Sequence, residues 1–150
     1  MTNYKDSFQL GISAAEQAEA NKKEISEVFK ELNKQIAEIT DGKISIERIE
    51  FYEPMSAFKI PLFDKRTTYW TIAAKNVKAA SENKELAKWN LDRAGYPCKI
   101  TLGKYEIYCE DKVALETALS NLLKDPIVGG ILYKLMQLPD KEAQEPPRVL

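Results

Sequence analysis

Apolar side chains in the first third of the chain recur at spacings of three and four residues: Ile25, Val28, Phe29, Leu32, Ile36 and Ile39. This period places them on one face and predicts a helix over residues 13–40. Ser13 followed by Glu16 is a capping-box pattern for its start, and Gly42 supplies a left-handed stop. Because residues 14–23 carry little to bury, we expect that part of the helix to make few contacts within its own chain.

Beyond this helix the pattern alternates between apolar and polar positions, which is typical of strands. Three strands are predicted in this way, over residues 43–53, 58–62 and 67–75. The alternation in the first of them changes phase near Glu47 and Arg48, and a β-bulge there would reconcile the two phases. In the third strand Trp70 is expected to face the core, which leaves Tyr69 exposed.

A second helix is predicted over residues 81–93, between a cap at Ser81 and Gly95. A β-hairpin follows, in which Gly103 occupies the first central position of a two-residue type II′ turn. That turn sets a register in which the facing pairs are Leu102 with Tyr105, Ile100 with Ile107, and Cys98 with Cys109.

Two further helices start at aspartate caps. Asp111 precedes the apolar positions Val113, Leu115, Ala118, Leu119, Leu122 and Leu123. Asp125 followed by Pro126 opens the last helix, which we expect to continue to Leu138.

Together these elements predict one α+β domain over residues 1–138, in the order α-β-β-β-α-β-β-α-α. It would contain a long N-terminal helix and a roughly five-stranded, mostly antiparallel sheet, with helices packed on one face. Residues 139–150 are rich in charge and proline and are expected to form a flexible tail. The order of elements resembles that of the small acidic chaperones of type III secretion, but topology alone does not carry function.

None of the 150 residues is histidine. Histidine titrates near neutral pH, is the commonest metal ligand, and is the usual base beside a serine or cysteine nucleophile. Its absence argues against ordinary hydrolases and zinc enzymes, and no glycine-rich phosphate-binding pattern is present. We therefore expect no catalytic residues, no metal and no cofactor, and an enzyme without histidine is the least favoured alternative.

The two cysteines, Cys98 and Cys109, share the apolar face of the predicted hairpin. Two thiols without histidine leave a zinc site short of ligands. The chain begins with no signal-peptide pattern and holds no apolar run of membrane-spanning length, so a cytoplasmic location without membrane contact is expected. Because the cytosol keeps thiols reduced, buried free cysteines are favoured over a regulatory disulfide or a catalytic thiolate.

The net charge of −1 conceals three differently charged parts. Residues 1–58 carry 7 basic and 11 acidic side chains, residues 59–104 carry 10 and 4, and residues 105–150 carry 5 and 8. A basic middle can bind nucleic acid or an acidic partner, or it can lie beside the acidic first helix within the fold. The isoelectric point of 5.7 favours the last interpretation.

These observations favour a non-enzymatic protein-binding accessory protein, such as an immunity protein, an inhibitor or a chaperone-like factor of bacterial or phage type. A partner protein, or a second copy in a homodimer, would contact the first helix by charge complementarity through Glu16, Glu19, Lys23 and Glu27. The alternative is a nucleic-acid-associated protein that uses the basic segment 65–78. There Tyr69 would stack on a base, and phosphates would be neutralised by Lys65, Arg66, Lys75 and Lys78.

Overall fold

Helices cover one face of a five-stranded antiparallel sheet in residues 1–54 and 67–141, which are the residues that a computed structural model describes. The elements are α1 (Tyr4–Thr40), β1 (Ile44–Tyr52), β2 (Thr68–Asn76), β3 (Lys84–Asp92), β4 (Gly95–Leu102), β5 (Tyr105–Cys109), α2 (Lys112–Lys124) and α3 (Pro126–Met136). The strands lie in sequence order, each antiparallel to the next. The predicted α+β class with a long first helix is confirmed.

The core lies where the three helices meet the sheet. From α1, the side chains of Ile25, Val28 and Phe29 are buried, as the helical period predicts. The Phe29 ring meets Trp89 of β3 edge to face, with 5.3 Å between ring centroids. Burial of each large apolar side chain stabilises the fold by roughly 1.5–3 kcal/mol, so this layer holds α1 across the sheet.

The helix α1 starts nine residues before the predicted boundary. Its cap is Asn3, whose side chain accepts a hydrogen bond from the backbone N–H of Asp6 at 3.2 Å. The predicted cap at Ser13 is wrong, because the residues before Ser13 also form helix and Asn3 caps it instead. At the other end Asp41 and Gly42 both have left-handed backbone conformations, with φ values of 53° and 72°.

The predicted bulge in the first strand is also wrong. β1 pairs with β2 without interruption, from Ile44 opposite Asn76 to Tyr52 opposite Thr68. The apolar pattern changes phase because Ile44, Ile46 and Arg48 follow one another on the helix-covered face of β1, and the third of them is charged. The strand keeps its register and places a charged residue beside the core.

Residues 81–93 do not form the predicted helix, and β3 (Lys84–Asp92) takes its place. The order is therefore α-β-β-β-β-β-α-α. Lysine, glutamate, leucine and alanine favour helix locally, but β3 lies between β2 and β4 and pairs with both. Backbone pairing on two sides outweighs a preference of a few tenths of a kcal/mol per residue. The change also removes the predicted likeness to the secretion chaperones.

The hairpin prediction is confirmed pair by pair, with Cys98 opposite Cys109, Ile100 opposite Ile107 and Leu102 opposite Tyr105. Gly103 has the positive φ, 60°, that a type II′ turn requires at this position. The caps of the last two helices are confirmed as well. Asp111 accepts from the N–H of Ala114 at 2.8 Å, and Asp125 caps α3.

Two predictions lie wholly or mostly outside the described residues. The edge strand over 58–62 is one. Of the tail over 139–150, the structure describes residues 139–141, where Asp140 forms a β-bridge with Ala79 and Lys141 N–H donates to the carbonyl of Lys78 at 2.8 Å. Within residues 1–54 and 67–141, no helix combines the length and the apolar character needed to cross a membrane.

Gly95, at the turn between β3 and β4, provides a test of how α1 is held. Its φ is 88°, and a Cβ there would lie 2.7 Å from the Cβ of Asn21 on α1. We predict that Gly95→Ala lowers the free energy of unfolding by on the order of 1–3 kcal/mol, because the backbone is strained and the helix must move. Urea denaturation would measure the change.

Gly103→Ala is the matched control for this substitution. Gly103 also has a positive φ, 60°, but a Cβ there would meet no atom within 4 Å. Alanine at Gly103 should therefore cost only the backbone strain, about 1 kcal/mol, and less than Gly95→Ala. Equal losses for Gly95→Ala and Gly103→Ala would contradict the close contact between the turn and α1.

Candidate functional site

The first candidate surface is the projecting segment, defined as residues 4–20 of α1. All of these residues are exposed except Ala18, which is half-buried. At 1.5 Å per residue the segment is about 25 Å long. Its exposed large apolar side chains include Tyr4 at 78%, Phe8 at 66% and Ile12 at 42%. The sequence predicted few contacts for residues 14–23. The exposed part of the helix begins ten residues before that range, at Tyr4.

The first hydrogen bond from α1 to another described element is made by Asn21. Its amide Nδ2 donates to the carbonyl oxygen of Ala94 at 2.9 Å. One turn later, the phenol of Tyr96 donates to Glu24 at 2.7 Å. Burial and this hydrogen bond raise the pKa of Tyr96, so the phenol stays protonated and keeps donating to Glu24 well above neutral pH. These bonds anchor the base of the projecting segment on the turn between β3 and β4.

The predicted partner-binding residues lie on one face of α1. Glu16, Glu19, Lys23 and Glu27 are separated by three, four and four residues, and all four are exposed. Glu19 forms an ion pair with Lys22 at 3.8 Å. Tyr4, Phe8 and Ile12 continue the same line toward the N-terminus at spacings of four. This face therefore has an apolar tip at the N-terminal end, formed by Tyr4, Phe8 and Ile12, and an acidic part nearer the sheet.

The second candidate is the strand cleft, which opens where β2 and β3 separate. Ladder pairing between these strands covers residues 71–74 of β2 and ends at Thr71 opposite Lys88. Residues 68–70 still pair with β1, and Trp89 and Asn90 still pair with β4. The gap is a cavity of about 840 Å³, which is within the range of small-molecule sites.

Three cations line the strand cleft: Arg48, Lys88 and Lys99. The guanidinium of Arg48 lies 4.7 Å from the centroid of the Phe29 ring and donates to Ser26 Oγ at 3.1 Å. Burial lowers the pKa of Arg48 from its ordinary value. Lys99 forms an ion pair with a glutamate of β5, whereas neither Arg48 nor Lys88 forms an ion pair with any described residue.

Three aromatic rings and several polar groups complete the lining. Trp70 is 49% exposed although it shares a face with Ile72, because the helices do not cover this end of the sheet. Trp89 is only 5% exposed. The Tyr69 ring lies 5.4 Å from the ammonium of Lys88. The polar and remaining lining residues are Glu47, Thr68, Asn90, Leu91 and Thr101.

Of the residues predicted to bind nucleic acid, the three that the structure describes, Tyr69, Lys75 and Lys78, do not form one cluster. Lys65 and Arg66 lie outside the described residues. Lys75 is six residues from Tyr69 along β2, about 20 Å, and Lys78 Nζ donates to the carbonyl of Asp41 at the end of α1. A hydrogen bond to Glu85 raises the pKa of Tyr69.

The cysteine pair shows the buried arrangement that the sequence favoured. Cys98 and Cys109 are opposite each other, completely buried and free. Hydrogen bonding with Cys109 and burial raise the pKa of the Cys98 thiol. A thiol held in its protonated form is a poor nucleophile. In the described part of the chain, no group of three or more histidine, cysteine, aspartate and glutamate side chains is placed to hold a metal ion.

Sequence reasoning missed most of the strand cleft and the apolar tip of the projecting segment. Lys88 and Trp89 were assigned to a helix, so their place in a strand next to β2 could not be foreseen. Arg48 did leave a signal, because a charged residue that interrupts an apolar phase in a strand can be a buried cation as well as a bulge. The spacing of four residues between Tyr4 and Phe8 was also a signal, because it is typical of one face of a helix.

The chain shows no match to any protein-family model, to any curated protein or to any solved structure. Among the described residues, the candidate surfaces that bear on function are the projecting segment and the strand cleft.

The burial of the thiols leads to a testable expectation. In the native protein Cys98 and Cys109 should react with an aromatic disulfide reagent far more slowly than a free cysteine at pH 8, because both are inaccessible and Cys98 stays protonated. In denaturant the same reagent should titrate both of the chain's cysteines. Rapid reaction of the native thiols, or fewer than two after unfolding under non-reducing conditions, would contradict this.

Proposed function

We propose that this protein is a non-enzymatic binding module that attaches to a partner protein through the projecting segment. The observation that carries the proposal is the exposure of Tyr4, Phe8 and Ile12 on a helix that extends beyond its own domain. Isolated large apolar residues on a surface are common, but three in line at spacings of four form a continuous stripe. Such a stripe fits a hydrophobic groove in the way that amphipathic helices bind.

The acidic part of the same face favours a partner whose groove is bordered by basic residues. Glu16, Glu19 and Glu27 outnumber Lys23 there, and all four are exposed. Charges at the rim of an interface accelerate association and determine orientation more than they add affinity. We therefore assign affinity to the apolar tip and orientation to the charged residues, and we expect association to slow as salt is added.

The anchored half of α1 makes the projecting segment a rigid binding element. Phe29 packs on Trp89, and Asn21 and Glu24 are bonded to the β3–β4 turn. A helix that is already formed loses less conformational entropy on binding than a disordered peptide does. The sheet and the other helices then serve as the base that holds this helix in place.

The apolar tip is tested by the double variant Phe8→Glu with Ile12→Glu. Two carboxylates in the stripe should abolish a stoichiometric complex with the partner, because a buried charge without a counter-ion is strongly unfavourable. Copurification from the source organism, with the complex mass measured by light scattering, detects the loss. Sedimentation of the purified chain over a concentration series separates a second copy from a different partner.

Gln9→Glu with Ser13→Glu is the matched control, since it adds the same charge at the same spacing on a neighbouring face of α1. This control should keep the complex. Removal of residues 1–20 should also abolish it while shifting the melting temperature by only a few degrees. A complex that survives this deletion, or equal losses in both double variants, would refute the proposal.

A further inference from the structure

We propose that β5 pairs with β5 of a second copy of this chain, so that two five-stranded sheets join into one continuous sheet. The two strands would run antiparallel, with Ile107 of one copy opposite Ile107 of the other. This surface is separate from the projecting segment, and the proposal does not rest on the protein-binding function above. Its support is an open strand edge whose charges complement themselves in one register.

The outer edge of β5 presents backbone groups to solvent. β5 is the last strand of the sheet and pairs only with β4. Leu102 and Tyr105 flank the two-residue turn, which makes them a hydrogen-bonded pair, and every second pair along the ladder bonds in the same way. The N–H and C=O groups of Glu106 and Tyr108 therefore point away from β4. Within the described part of the chain, no hydrogen bond reaches these backbone groups.

The two edges of the sheet differ in how they are protected. Proteins commonly block strand edges with proline, lysine, a bulge or a covering group. At the β1 edge, the side chain of Asn33 bonds to the backbone of Ile46 on both its donor and its acceptor. β5 contains neither proline nor lysine, and its pairing with β4 shows no register shift. A second β5 is therefore a better match for this edge than β1 of another copy.

Charge selects one register for the paired strands. Centring the pair on Ile107 places all five residues of each β5 opposite one another, with Glu106 facing Tyr108 of the second copy. Just beyond the strands, Lys104 then lies opposite Glu110 at both ends. Moving the centre by one residue, to Glu106 or to Tyr108, places two glutamates opposite each other instead, which is unfavourable.

The charged side chains around β5 agree with this register. Lys104 and Glu110 are exposed, and neither forms an ion pair with any described residue. In the dimer each would gain a counter-charge from the second copy. Glu106 already has one, because Lys99 Nζ lies 3.6 Å from its carboxylate oxygen. It can therefore face the neutral ring of Tyr108 without leaving its own charge unpaired.

Pairing would also cover apolar side chains. Tyr105 lies on the helix-covered face of the sheet but is 77% exposed. Ile107 is half-buried on the same face. In the proposed register the two Ile107 side chains meet, and Tyr105 lies opposite Cys109 of the second copy, close to the start of that copy's α2. Antiparallel pairing keeps the helices of both copies on one side of the sheet, so these side chains lose exposed apolar surface.

The first test is sedimentation of the full-length protein over a series from micromolar to millimolar concentration. We expect a reversible equilibrium between monomer and dimer without larger species, because the dimer uses the open edge of both copies. Glu106→Pro should weaken the dimer at least tenfold. The N–H that proline removes points away from β4, so the hairpin keeps its own hydrogen bonds. Far-ultraviolet circular dichroism should show that this variant is folded.

Charge exchange tests the register without altering the backbone. Lys104→Glu and Glu110→Lys should each weaken the dimer roughly tenfold, because each places like charges opposite one another at both ends. The variant that carries both changes should dimerise like the wild type, and a mixture of the two single variants should form a heterodimer. Lys30→Glu, the same charge change at an exposed position of α1, should leave the equilibrium unchanged.

Three results would overturn the proposal. They are a protein that stays monomeric throughout the series, a dimer that Glu106→Pro leaves intact, and no recovery of the dimer when the two charges are exchanged. Removal of residues 1–20 should leave the β5 dimer intact although it abolishes partner binding. Self-association that is lost on this deletion and kept in Glu106→Pro would assign the contact to α1, so the two proposals fail independently.

Discussion

The edge-to-face contact between Phe29 of α1 and Trp89 of β3 is the interaction on which both candidate surfaces depend. It fixes where the long helix crosses the sheet, and with it the direction in which residues 4–20 project. The same pair holds the guanidinium of Arg48, 4.7 Å from one ring centroid and 5.8 Å from the other. A change at this junction would move the helix and the floor of the strand cleft together.

Packing is distributed unevenly along α1. The half that follows Asn21 contributes Ile25, Val28 and Phe29 to the core. The preceding half buries almost nothing, and it stays helical through its alanine-rich composition, its cap at Asn3 and its covalent continuity with the packed half. A binding segment built in this way can be altered with little effect on the stability of the domain.

The edge of the sheet beside α1 is closed by a side chain. The amide of Asn33 donates to the carbonyl of Ile46 at 2.6 Å and accepts from its N–H at 2.7 Å, as a neighbouring strand would. Exposed strand edges invite unwanted pairing, and this contact blocks part of one. The gap between β2 and β3, in contrast, leaves residues 68–70 of β2 without a ladder partner on β3.

The sequence determined the features that depend on local chemistry. The helical period around Phe29, the turn at Gly103 and the cap at Asp111 each specify their element through neighbours a few residues away, so their predictions held. The strand β3 was decided by tertiary structure, because its residues favour helix until strands on both sides supply hydrogen bonds. The strand cleft was decided there too, since its lining residues come from four strands, β1 to β4, and no local period records how distant strands are placed beside one another.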